Sequence, residues 1–320
     1  MPEQLIYAFL ISLLGGLHVI LGTGGLGAIM LAAAAETTAK SGKTAFMYKF
    51  SEQTSKIAAW LLLYLSLGMA AGIWISFLLF PEKAWLWMVD WRLDAVLIGV
   101  PMLAVLLGLL YKWLSKPLKQ KRGLHVFLGI LASAAGLSAL LVTAMAKMHV
   151  LKLSGEELVY PTLAGLLRIQ SASPETWGHF AHLVMLALSS GGAVTLLYLL
   201  ARRNKDDYGR DYYAHTVRFA SKWTAVFCIL ALPAWGFIAY SLLPGIRIMP
   251  GNAVVYGAMA AYTALTIIAA ALFTITGRSA MPMRHKPLVV IAAACLWLGI
   301  AGFLEFLNRL YGIYSGIGIL

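Results

Sequence analysis

The stretch Leu17–Thr37, LHVILGTGGLGAIMLAAAAET, is apolar almost throughout yet carries a histidine at position 18. Apolar residues continue upstream to about Ile6. A bilayer is crossed by about 20 such residues in a helix, so this run is long enough to span one. Runs of the same kind recur along the 320-residue chain with short polar gaps between them. We read eight spans: Ile6–Ala34, Ile57–Phe80, Leu93–Trp113, Val126–Lys147, Phe180–Leu200, Trp223–Leu243, Val254–Ile275 and Leu288–Leu310. The chain is 61 % hydrophobic, and 12 % of it is Asp, Glu, Lys or Arg. That charged share is about half of what a soluble domain carries. Mean hydropathy is +0.81. The composition leaves no room for a sizeable soluble domain. It predicts an all-α, polytopic membrane helix bundle, one transmembrane domain over residues 1–320. The first run lacks a basic flank, holding only Glu3, and is too long for the apolar core of a signal peptide, so it is expected to stay as a helix.

The net charge of +12 would point to nucleic acid in a soluble protein; here it is a topology signal. One set of loops carries Lys40, Lys43, Lys49 and Lys56, then 112–122, 202–218 and 278–286, all rich in Lys and Arg. The other set holds Glu82, Asp90, Glu156, Glu157 and Glu175. Basic loops stay on the cytoplasmic side, so both termini are expected to face outward. Cys228 and Cys295 both lie inside spans, which excludes a disulfide framework. No C-x-x-C-H, no Walker A motif, no dinucleotide fingerprint and no internal repeat is present.

Ionisable groups inside a membrane are costly and mark function. His18 lies roughly 18 Å down from the outer face at 1.5 Å per residue. Gly15, Gly22 and Gly25 stand at −3, +4 and +7 from it, on the same helical face. Such a face admits another helix, since small residues mark membrane helix contacts. It equally admits a flat macrocycle such as haem. His182 lies about one turn inside the outer end of the fifth span, and Met259 sits at a similar depth in the seventh. His/Met ligation is one haem option and raises the potential. His179, at i−3 from His182, is the alternative ligand. Glu305 is the acid in the core of the last span. It reads as a partner of Arg309 at i+4, a haem ligand or a proton-handling group. His149 and His179 are expected at the outer surface, and His125, His215 and His285 at the inner one.

Taken together these positions resemble subunit I of the cytochrome bd quinol oxidases. His18 is followed by Glu36-Thr37 and then Ser41-Gly42-Lys43, as in that family's first helix. The second span ends in LGMAAG at Leu67–Gly72, the fourth carries GLSALLVTAMAKM, and the fifth opens with HFAHLV. The resemblance implies that His18 is an axial ligand in a high-spin haem pair. It implies that His182 and Met259 bind a low-spin haem b, and that Glu305 ligates the other high-spin haem. The departures are also plain. The third span has no acid between Ala95 and Leu110, the link between spans six and seven is only PGIRIMPGN, and Gly257 and Ala258 precede Met259 where the family has an arginine. The tail after Glu305 reads LNRLYGIY. The chain looks like a shortened relative.

The expectation is therefore a multi-pass electron-transport subunit of a bacterial or archaeal cytoplasmic membrane. It would bind one to three haems b, or a modified haem, and exchange electrons with a quinone. Its partner on the outer side would be a c-type cytochrome or an iron–sulfur subunit, since the chain itself has no redox centre outside the bilayer. Two other readings stand beside it: a terminal oxidase reducing oxygen at His18 and Glu305, and a haem-free transporter or assembly protein.

Overall fold

The computed structural model describes residues 2–39, 44–79, 91–152, 162–206, 208–247 and 252–310. Its elements are α1 (Pro2–Thr38), α2 (Thr44–Leu79), α3 (Trp91–Trp113), α4 (Arg122–Lys152), α5 (Leu163–Ser171), α6 (Pro174–Arg202), α7 (Arg210–Arg247), α8 (Asn252–Arg278), a 3-10 turn (Pro282–His285) and α9 (Lys286–Leu310). Among the described residues there is no strand. Helices are what the bilayer demands, because each backbone N–H and C=O must be satisfied within its own segment.

Seven described segments are long and apolar enough to cross a membrane: Ile6–Thr38, Ala95–Trp113, Arg122–Met148, Pro174–Arg202, Arg210–Leu242, Ala253–Arg278 and Pro282–Leu310. The eighth expected span, Ile57–Phe80, falls on α2, and Phe80 lies outside the described residues. The helices overrun the expected spans at their polar ends. The fifth begins at Pro174 rather than Phe180, and proline suits a first helical turn because that turn's N–H groups have no helical partner. The short α5 was not expected. Thr162 caps it, accepting the Gly165 N–H at 3.1 Å.

The core sits around α6, which packs on α1, α4, α7 and α9. Of its apolar window 72 % is buried, against 28 % for α1, α3 and α4, so α6 is the enclosed helix of the bundle. Residues Leu186 to Leu196 are buried without a break. The α1–α6 seam is backbone against backbone. A Cβ on Gly27 would lie 1.8 Å from the Ala187 carbonyl oxygen, and one on Gly191 would lie 2.3 Å from the Gly27 carbonyl carbon. The outer helices present large apolar side chains outward, among them Trp60, Leu67 and Tyr240. That is the surface a lipid-facing bundle needs.

Indole N–H groups tie the helices laterally. Trp223 donates to the Leu188 carbonyl and Trp297 to the Leu13 carbonyl, each at 3.1 Å. At the basic end, Arg202 donates a fork to Asp206 at 2.9 and 2.8 Å. The Gln53 amide also donates to Asp206, at 3.2 Å, and the Tyr212 hydroxyl donates to Gln53 at 2.5 Å. This chain of bonds fastens α2 to the α6–α7 link.

Candidate functional site

The N-terminal half of α6 carries His179 and His182, both with 0 % exposure. His179 was expected at the surface. It is buried because α6 starts more than a turn earlier, at Pro174, and Phe303 of α9 lies against its ring at 6.2 Å. His182 is walled by rings from three helices: Trp235 of α7 at 6.0 Å, Tyr262 of α8 at 5.5 Å and Phe303 at 4.7 Å. Its Nε2 lies 2.7 Å from the Tyr262 hydroxyl. Its Nδ1 and both ring nitrogens of His179 are buried without a hydrogen-bond partner.

Three unpartnered imidazole nitrogens on one turn of a helix call for a physical account. Leaving one buried polar atom unsatisfied costs about 1–3 kcal/mol, and such atoms are few in folded proteins. A neutral imidazole has one nitrogen with a free lone pair, which is the atom that ligates a metal. Among the described residues no group of three or more His, Cys, Asp or Glu could hold a metal ion by side chains alone. Haem iron asks less of the protein, since the macrocycle supplies four of its ligands and side chains one or two. His179 and the His182 Nδ1 offer nitrogens of that kind, while the His182 Nε2 is already bonded to Tyr262.

Met259 is not the hydrogen-bond partner of His182; Tyr262, three residues on, takes that place. Met259 instead lines an apolar groove of about 720 Å³ between α7 and α8, with Trp235, Gly236 and Thr263. The structure does not pair the two residues.

His18 is half-buried. Its Nδ1 lies 3.1 Å from the Tyr64 hydroxyl of α2. Its ring rests on the α2 backbone, since a Cβ on Gly68 would lie 2.3 Å from His18 Cε1. Gly22 and Gly25 face the same helix: their added Cβ atoms would meet Leu65 at 2.9 Å and Leu61 at 3.0 Å. Gly15 meets Leu304 of α9 at 3.0 Å. The glycine face thus closes on helices α2 and α9, the first of the two uses expected for it. Glu305 accepts from Arg309 Nε and from the Ser12 hydroxyl, each at 2.7 Å, and Asn308 donates to Ser12 at 3.3 Å. The i+4 pairing expected for Glu305 is present.

A second cluster, at the basic end, was not read from the sequence. His125 was expected at the inner surface but is buried at 6 % exposure, as is Glu36 at 9 %. His125 Nδ1 lies 2.8 Å from Glu36 Oε2, and its Nε2 donates to the Tyr111 carbonyl at 2.8 Å. The Ser51 hydroxyl donates to Glu36 at 3.1 Å and lies 2.9 Å from the Tyr111 hydroxyl. The Tyr111 ring stacks on His125 at 4.3 Å. A carbonyl only accepts, so Nε2 carries a proton. One further proton is shared between Nδ1 and the carboxylate. Whichever atom holds it, the pair is neutral overall, as histidinium with carboxylate or as imidazole with carboxylic acid. The signal available in the sequence was an acid and a histidine in the end turns of two spans, at the same level of the bundle.

The architecture is that of a multi-pass α-helical membrane protein. Comparison with protein-family models, with curated proteins and with solved structures finds no match.

Proposed function

We propose that this chain is a membrane b-type cytochrome subunit, carrying electrons between a quinone and an outward-facing c-type cytochrome or iron–sulfur partner. The observation that carries the reading is the pair of fully buried imidazoles, His179 and His182, with three unpartnered nitrogens inside an aromatic wall. The resemblance to cytochrome bd subunit I supports the same assignment. When bound, haem would supply the one-electron chemistry. The chain's own part is to present the imidazole, hold it by packing against Phe303 and Trp235, and keep water out. Two histidines one turn apart on one helix approach from the same side, so each iron takes at most one of them. His182 is the assigned low-spin ligand, with His179 its alternative; Met259 is the second ligand on the resemblance alone, and would have to turn from the α7–α8 groove to serve. The resemblance alone assigns His18 and Glu305 to a further haem; His18 lies against Gly68 and Tyr64 of α2, so that helix would have to stand off to admit one.

The test is haem quantitation with a reduced-minus-oxidised spectrum on the purified chain and on three variants. His182→Ala and Met259→Leu should each lose the low-spin b-type signal. Survival of that signal in both, with loss in His179→Ala, moves the ligand one turn along α6. Full haem content in all three, or a wild-type chain without haem, ends the reading.

A further inference from the structure

The basic end holds a pocket of about 530 Å³ whose lining includes Lys49, Lys116, Lys119, Arg122, Glu36 and His125. Its place in the bundle is specific. Three spans, Ile6–Thr38, Ala95–Trp113 and Arg122–Met148, all end at it. Glu36 comes from the last turn of the first, Lys116 from just past the second, and Arg122 and His125 from the first turn of the third. The pocket therefore lies where apolar helix gives way to polar chain, which is the level of lipid phosphates.

Its charge is one-sided. The four cations of the lining face only two acids, Glu36 and Glu52. Glu36 is matched by His125, so that pair adds no net charge. Glu52 is matched by Lys56 at 3.4 Å. Two of the cations are held in place by rings: Arg122 lies over Tyr48 and Lys49 over Tyr208, each 3.4 Å from the ring centroid. α4 begins at Arg122, and the positive dipole end of a helix favours an anion, although the Leu124 and His125 N–H groups already donate to the Lys121 carbonyl.

We propose that this pocket binds a phosphate group, with Lys116, Lys119 and Arg122 as its cationic contacts and the neutral Glu36–His125 pair as its floor. Basic pockets between membrane helices take anionic lipid headgroups by this chemistry. An anionic phospholipid and free inorganic phosphate offer the same group, and the experiment separates them.

The full chain is purified in a neutral detergent, and its thermal unfolding is followed by tryptophan fluorescence. Titrants are phosphatidylglycerol, phosphatidylcholine, and inorganic phosphate against chloride at equal ionic strength. Phosphatidylglycerol should raise the midpoint saturably and phosphatidylcholine should not. Lys116→Gln with Lys119→Gln should weaken the apparent affinity about thirty-fold, the combined worth of two lysines near an anionic headgroup. Arg122→Gln should weaken it too. Arg278→Gln with Lys286→Gln removes the same charge at another basic loop and should change little. Protection by inorganic phosphate as well, lost in the same variants, identifies free phosphate as the source; protection by phosphatidylglycerol alone identifies the lipid. The proposal is overturned if neither protects, if phosphatidylcholine protects equally, or if the Arg278/Lys286 variant weakens binding as much as the Lys116/Lys119 variant. Haem content plays no part in this readout, so either proposal can fail without the other.

Discussion

Replacing Gly27 by alanine should be among the most damaging single-methyl additions the bundle can receive. The new Cβ would lie 1.8 Å from the Ala187 carbonyl oxygen and 2.5 Å from its carbon, where ordinary contact begins at 3.4 Å. The shortfall is about 1.6 Å against backbone, which has no rotamer to yield. The seam would have to open, and Gly191 on the far side, itself 2.3 Å from the Gly27 carbonyl carbon once a Cβ is added, shows the crowding is mutual. Overpacking costs about 1–3 kcal/mol and at times more. Exchange of glycine for alanine in a helix returns at most about 1 kcal/mol. With a clash against backbone taking the upper end of that range, a net loss of about 2 kcal/mol is expected. Gly99 is the control, because its added Cβ meets nothing within 4 Å. Gly99→Ala should be neutral or stabilising. The assay is reversible unfolding in mixed detergent, both variants measured beside the parent. A third variant, Gly27→Ala with Ala187→Gly, should not recover, since the clashing atoms belong to the Ala187 backbone. Equal stability of Gly27→Ala and Gly99→Ala, or rescue by Ala187→Gly, would refute the reasoning.

His18→Gln distinguishes a ligand from a hydrogen-bonded spacer: as a haem ligand its loss should remove about one haem per chain, and unchanged haem content by pyridine haemochrome would leave His18 as the Tyr64 partner alone. His125→Phe keeps the stack on Tyr111 but removes the histidine partner of Glu36; about 3–5 kcal/mol should be lost, and Glu36→Leu in the same chain should restore most of it, read by unfolding midpoint. Lys116→Gln with Lys119→Gln should leave haem content unchanged, measured on the same haemochrome scale. The Asp206 carboxyl is held below the ordinary carboxylate range, chiefly by the bonds Arg202 donates. A lowered folded value means the tie is intact above the unfolded pKa of about 3.9 and is lost as pH falls through the folded value. Proteolysis of the α6–α7 link should therefore rise only in strong acid in the parent, and at every pH in Asp206→Asn.

The helical class and most spans were legible because hydropathy and length act locally, and a bilayer permits little else. The helices that carry His182 and Met259 were legible too. The facing of a helix was not, because depth fixes height but not azimuth. Met259 turns to the α7–α8 groove while Tyr262, less than a full turn further on, reaches His182. Gly22, Gly25 and His18 share a face as their spacing requires, yet the sequence offered no means of choosing α2 as what lies against it. His179 was placed at the surface because the fifth span was started at Phe180, whereas Pro174 starts the helix earlier and carries that turn inside. The Glu36–His125 pair joins residues 89 apart in sequence, and nothing local announces such a meeting.

The enclosure of α6 bears on the order of assembly. A membrane helix enters the bilayer singly and docks afterwards. When α6 is made, α1 to α4 already stand, and α7, α8 and α9 do not exist. Its histidines are then uncovered on the side that Trp235, Tyr262 and Phe303 later take, because those residues have yet to be translated. Those three side chains arrive in sequence and shut the chamber with the last helix. On the proposed function, a haem would have to be loaded during that interval, before Phe303 packs against His182.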